Sequence, residues 1–283
     1  MTMTTDTFHL HYQAWGNPKA QPLLLLHGFL GTGEDWRHIA HILSSDFFCL
    51  APDIPGHGQT LPTQHPLSQE AYTMTRVAST LVQFLDALVV PRLMSQEVLQ
   101  QKPLLCGYSM GGRLALFLAL HFPERFSGAC ILSGTAGLRT EEERQARQNH
   151  DEQLAQRLDT EPFSTFLEFW YNQPLFAPFK HHAAFANILS TRIAASPSEA
   201  ARSLRGMGTG AQPNCWDDLS RNRLPIQFVT GEKDSKFVAI ARELHACTPY
   251  SQHRVIPNVG HVLHHEAPEE VIRIIRELNP RKQ

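Results

Sequence analysis

The chain has 283 residues, of which 42% are hydrophobic and 18% charged, and its formal net charge at pH 7 is −2. Such a chain is long enough for one large α/β domain with a sizeable core, and its balance excludes a disordered or fibrous protein. A total charge this close to zero sets up no field favouring nucleic acid or an anionic membrane, and no apolar stretch approaches membrane-spanning length.

In chain order, residues 8–13 alternate apolar and polar side chains and read as an early strand. Residues 22–26 form a short continuous apolar run, the pattern of a strand buried on both faces. Residues 47–51, 104–106, 129–132 and 226–229 repeat that pattern, with helical periodicity at 34–43, 71–89 and 110–121 between them. Residues 254–256 make a last short strand, and a closing helix over 268–278 starts at a proline. Strands alternating with helices predict a mostly parallel sheet flanked by helices. The alternation breaks once. From about 138 to 216 there is no strand pattern, and helices are expected at 141–158, 163–171 and 183–195. A helical insertion between two sheet strands reads as a cap over the site. The expected division is a core of 1–136 and 217–283 with a helical cap of 137–216.

Five scattered cysteines (Cys49, Cys106, Cys130, Cys215, Cys247) form no C-x-x-C pair, which predicts buried free thiols in a reducing compartment. The first seven residues carry neither a basic region nor an apolar run, so a cytoplasmic protein is expected. Sixteen histidines, among them His181, His182, His261, His264 and His265, invite a metal reading. None stands in a metal-ligand spacing, so no metal is expected.

The segment Gly107-Tyr108-Ser109-Met110-Gly111 lies between a strand and a helix. This is the Gly-x-Ser-x-Gly context in which a strained turn raises a serine hydroxyl above a sheet edge. A free hydroxyl is too weak an acid to react unaided and needs a base. His261, after the last strand, is well placed, and Asp234, after the strand at 226–229, supplies an acid in the chain order Ser…Asp…His. Alone, Asp234 reads better as a turn residue and His261 as surface, and only together, in order and each just after a strand, do they read as catalytic; Glu232 is a rival acid ranked second. The backbone N–H groups of Met110 and of Phe29, in the loop His27-Gly28-Phe29-Leu30-Gly31, are the expected oxyanion donors. His27 is expected to orient that loop, and the turn-rich run Asp53–Gly58 is assigned no catalytic role. Arg113, one helical turn past Ser109, can face the same pocket.

On these motifs the chain resembles the α/β-hydrolase fold throughout. More narrowly it is similar to the 2-succinyl-6-hydroxy-2,4-cyclohexadiene-1-carboxylate synthases of menaquinone and phylloquinone biosynthesis. The likeness rests on residues 107–113, Gly137-Leu138-Arg139 through Arg144 and Arg147, Thr160-Glu161-Pro162, Phe169-Trp170-Tyr171, Gln173-Pro174-Leu175-Phe176 and residues 231–237. It implies a lyase with a hydrolase triad: a base removes the ring proton next to a succinyl ketone, and pyruvate leaves. It implies no metal or other cofactor and no obligate protein partner. The implied substrate is a small tricarboxylate, and Arg113, Arg147 and Arg192 are its implied anchors. Tyr108 and Trp170 are implied pocket residues. Two rivals remain from the residues alone: an esterase, thioesterase or C–C bond hydrolase, and a non-catalytic binding protein on the same fold. A cationic pocket separates the lyase from an esterase of neutral substrates.

Overall fold

The structure is a computed structural model that describes residues 1–64, 67–93, 102–193 and 195–279. Its centre is one sheet built from β1 (Thr2–Thr4), β2 (Phe8–Trp15), β3 (Gln21–Leu26), β4 (Phe47–Pro52), β5 (Leu61–Pro62), β6 (Leu104–Tyr108), β7 (Gly128–Leu132), β8 (Ile226–Gly231) and β9 (Ser251–Ile256). The strand order is β1-β2-β4-β3-β6-β7-β8-β9, with β5 paired to β2. From β4 to β9 every pairing is parallel, whereas β2 runs antiparallel to β1, β4 and β5. The runs that read as doubly buried strands are buried at every residue in β3, β4, β6, β7 and β8. Parallel strands need covering helices on both faces, and this explains those runs.

The helices of the two layers are α1 (Arg37–Leu43), α2 (Met74–Leu93) and α3 (Met110–His121), with others described below. Between β7 and β8 come α4 (Glu141–Thr160), α5 (Phe163–Tyr171), α6 (Ala177–Lys180), α7 (Phe185–Arg192) and α8 (Pro197–Met207). The chain closes with α9 (Ser235–Cys247), α10 (Leu263–Glu266) and α11 (Pro268–Glu277). Ile39 and Leu43 of α1 join Val271 and Ile275 of α11 in the core on one face. On the other face Val77 and Phe84 of α2 pack with Leu114 and Phe117 of α3 and Leu244 of α9. Among the described residues no helix is long and apolar enough to cross a membrane.

Several elements differ from expectation for local reasons. The helix expected at 34–43 starts as a 3-10 turn, Gly33–Trp36, before α1. That over 71–89 splits: Thr73 is extended (ψ 151°), ending the 3-10 turn Gln69–Tyr72 before α2. The one expected at 183–195 is shorter, as α7; Ala194 lies outside the described residues. Helix α8 went unread, although Ser196 is followed by Pro197 at its first turn and by Glu199, whose N–H the Ser196 side chain accepts. Helix α9 also went unread. All five cysteines are free; four are buried, and Cys247 is exposed.

Candidate active site

The parallel strands end along one edge, and their C-terminal loops bring the reactive side chains together, as open α/β sheets do. Ser109 follows β6 and starts α3 with φ 52° and ψ −109°. This strained turn is held by the Ser109 N–H, which donates to the Leu132 carbonyl at 2.8 Å. The flanking glycines act by close approach rather than by an unusual φ. A Cβ on Gly107 would lie 2.1 Å from the Gly111 carbonyl oxygen, and one on Gly111 would lie 2.2 Å from that of Leu26. The left-handed residue at this turn is the serine itself.

His261 lies on the loop after β9 and is 1% exposed; Asp234, after β8, is 6% exposed. His261 Nδ1 is 2.6 Å from Asp234 Oδ2, and its Nε2 is 3.3 Å from Ser109 Oγ. Asp234 is fixed from its other side, since it caps α9 and lies 3.5 Å from the Ser133 hydroxyl. Phe237 and Tyr108 wall the imidazole at 4.8 and 5.3 Å between ring centres. In this geometry the carboxylate orients Nδ1–H, leaving Nε2 to accept a proton from Ser109. Glu232, the rival acid, instead accepts the Asn258 N–H at 2.9 Å.

The Met110 N–H is the first of α3 and has no intrahelical acceptor. The loop carrying Phe29 is tied down by the buried His27: Nδ1 donates to the Gly28 carbonyl at 2.8 Å, and Nε2 accepts the Ile54 N–H at 2.9 Å. Asp53 anchors the neighbouring turn by accepting the Gly33 and Gln59 N–H groups at 2.8 and 2.9 Å.

A cavity opens over Ser109, lined by Phe29, Tyr108, Trp170, Phe176, Arg192 and His264 among others. Tyr108, Trp170 and Arg192 therefore share it with the serine. Arg192 does not offer a free guanidinium. It donates to Asp35 Oδ1 at 2.9 Å and Oδ2 at 2.6 Å, and both side chains are almost completely buried. Burial pushes the Asp35 carboxyl up, but the guanidinium beside it wins and holds it below the ordinary value.

Arg113 and Arg147 are not among that lining. Arg113 is buried and donates to the Met207 carbonyl at 2.7 Å and to Gln212 Oε1 at 3.1 Å. Burial, and then the charge of Arg147, lower its pKa to about 10. Arg147 itself pairs with Asp151 at 2.7 Å. The three arginines thus form two groups: one pair under α8, the other at the cavity wall.

Asp35 escaped the sequence reading, and His264 and His265, weighed there only as metal ligands, lie with it in the cavity wall. Their signal is weak, because an Asp in the first turn of a helix serves as a cap and two adjacent histidines match no ligand spacing. Together they offer three metal-donor atoms within 4.8 Å of one another, but Arg192 already neutralises Asp35. His121, Cys215 and Asp218 make a second such group at the far end of α3 from Ser109.

This sheet, with a serine turn, histidine and acid at its C-terminal edge, defines a class, and residues 21–268 match the family model described as alpha/beta hydrolase fold. Within that class the likeness is narrower. A 2-succinyl-6-hydroxy-2,4-cyclohexadiene-1-carboxylate synthase of Escherichia coli is 32% identical over 95% of this chain and 98% of its own. One from Enterobacter sp. is 32% identical over 93% of each chain. The solved structure of MenH from S. aureus superposes with a TM-score of 0.84 at 26% identity, covering 97% of this chain and 98% of that one. The chain belongs to the family of 2-succinyl-6-hydroxy-2,4-cyclohexadiene-1-carboxylate synthases.

Proposed function

We propose that the chain converts 2-succinyl-5-enolpyruvyl-6-hydroxy-3-cyclohexene-1-carboxylate into 2-succinyl-6-hydroxy-2,4-cyclohexadiene-1-carboxylate and pyruvate, on the route to menaquinone or phylloquinone. The observation that carries this is chain-long likeness to synthases of that name, joined to an intact Ser109–His261–Asp234 relay. The electron flow follows from the two ring systems. The C–H bond beside the succinyl ketone breaks, the ring double bond shifts, and the C–O bond to enolpyruvate breaks. Enolpyruvate takes a proton and leaves as pyruvate; no water is consumed.

Ser109, its proton drawn by His261, is the base, and Asp234 steadies the imidazolium that forms. Charge developing on a substrate oxygen meets the Phe29 and Met110 N–H groups. Trp170 and Tyr108 pack on the ring, and Arg192 at the cavity wall receives a carboxylate. Residues 137–216 form the cap over this site, and the enzyme works in the cytoplasm on a small-molecule tricarboxylate.

The test is the product pair. Wild-type protein given the enolpyruvyl substrate should yield pyruvate and the diene in equal amounts, with only slow cleavage of a nitrophenyl ester. Brisk ester cleavage with no catalysed pyruvate release would make it an esterase instead.

A further inference from the structure

Two imidazoles of the cavity have no task in the elimination. His264 is 3% exposed, and neither of its ring nitrogens has a hydrogen-bond partner among the described residues. The Nε2 of His265 is also unpartnered, and both rings line the cavity beside Ser109. Buried polar atoms left unpaired are costly, so their presence points to something that enters and pairs with them. The charge around them is already balanced. Arg192 and Asp35 neutralise each other, and donor atoms of Asp35, His264 and His265 lie within 4.8 Å of one another. With neutral imidazoles this wall carries no net charge, yet the substrate brings three carboxylates. A carboxylate cannot enter a buried neutral wall without a new positive charge.

We infer that Asp35 stands in for a substrate carboxylate in the empty enzyme, and that substrate and Asp35 share out two cations on binding. The incoming carboxylate, one of the two that the product keeps, takes over the Arg192 guanidinium. His265 gains a proton from solvent and takes over Asp35. The charges balance: Asp35 and Arg192 sum to zero before, and Asp35, the carboxylate, Arg192 and protonated His265 sum to zero after. One N–H bond forms on His265 as a hydronium ion or a buffer acid loses its proton, and the conjugate base stays in solution. His264 stays neutral and offers one N–H and one lone pair to the substrate's polar edge.

The groups facing His265 allow this. Asp35 approaches from the 3-10 turn, Arg192 from α7, His182 from the turn before α7, and His38 from α1. The His264 ring lies tilted against that of His265 at 4.2 Å, and Phe179 of α6 stacks on it at 5.8 Å. Burial above all, with Arg192 working against Asp35, holds His265 down at about 4 in the empty site, so it is neutral at pH 7 until a second carboxylate arrives.

The inference rests on the tricarboxylate substrate proposed above. The experiment is calorimetry of the diene product binding to the full chain between pH 6 and 8, in two buffers of different ionisation enthalpy. The expected result is proton uptake that grows towards one per complex as the pH falls. In His265→Gln that uptake should drop at least threefold, and KM for pyruvate release should lose its rise with pH. Asp35→Asn frees Arg192 and should bind product without uptake. Absence of uptake in the wild type, or equal uptake in His265→Gln, overturns the exchange. Pyruvate release by the same preparations separates the two ideas: release without uptake overturns the exchange alone, whereas no release overturns both.

Discussion

Replacing Asp234 by Asn tests the relay at its most buried joint. The carboxylate lies 2.6 Å from His261 Nδ1, with side-chain exposures of 3% and 1%. A charge pair at that separation is worth at most about 6 kcal/mol at an effective dielectric near 20. An Asn either turns its oxygen to Nδ1–H and leaves the imidazolium without a counter-charge, or turns its amide there. In the second case Nε2 carries the proton and cannot accept one from Ser109. The same substitution in a Ser-His-Asp site costs about 10⁴ in kcat, so a loss of about 10³–10⁴ is expected here, with KM changed less than about threefold. Stability should move by less than about 1 kcal/mol, because Asn caps α9 as well as Asp does. Steady-state pyruvate release, beside a urea unfolding curve, measures both. A folded Asp234→Asn enzyme that keeps more than a tenth of wild-type kcat would refute the reasoning.

Gly111→Ala would put a methyl 2.2 Å from the Leu26 carbonyl oxygen and 2.5 Å from that of His27. A destabilisation of about 4 kcal/mol or more is expected by denaturant titration, or no folded protein at all. Arg113→Ala should lower stability by about 1–3 kcal/mol in a denaturant titration, because it strands the Met207 carbonyl; Arg113→Lys should recover part of that loss. His265 gives stability a definite pH slope. Its folded pKa of about 4 lies below the ordinary 6.5, so the unfolded chain binds the proton first. Stability is therefore full above pH 6.5 and falls as the pH drops towards 4, by about 3 kcal/mol at one 1.36 kcal/mol step per unit. Unfolding curves of His265→Gln at pH 7 and pH 4.5 should show that slope reduced; an unchanged slope would contradict it.

The parallel sheet was legible because its strands are buried on both faces and so read as unbroken apolar runs. The short edge strands β1 and β5 were not, since two or three half-exposed residues carry no period. Ser109, Asp234 and His261 were legible as local motifs, each just after a strand. The ion pair of Asp35 and Arg192 was not, because its partners stand 157 residues apart and only the folding of α7 onto the turn before α1 joins them. Arg113 shows the limit of helical spacing as a guide. One turn past Ser109 places it near the site, but its guanidinium reaches the Met207 carbonyl instead of the cavity wall.

The most direct measurement is the initial rate of pyruvate release from freshly made 2-succinyl-5-enolpyruvyl-6-hydroxy-3-cyclohexene-1-carboxylate, with wild type and Ser109→Ala side by side against the spontaneous background. General-base and electrostatic assistance together are each typically worth 10² or more, so the wild type should exceed background by at least about 10⁴. Ser109→Ala should lose at least about 10³ of that. Wild-type release at the spontaneous rate, or a folded Ser109→Ala enzyme as fast as wild type, would contradict the assignment of this chain and of its serine.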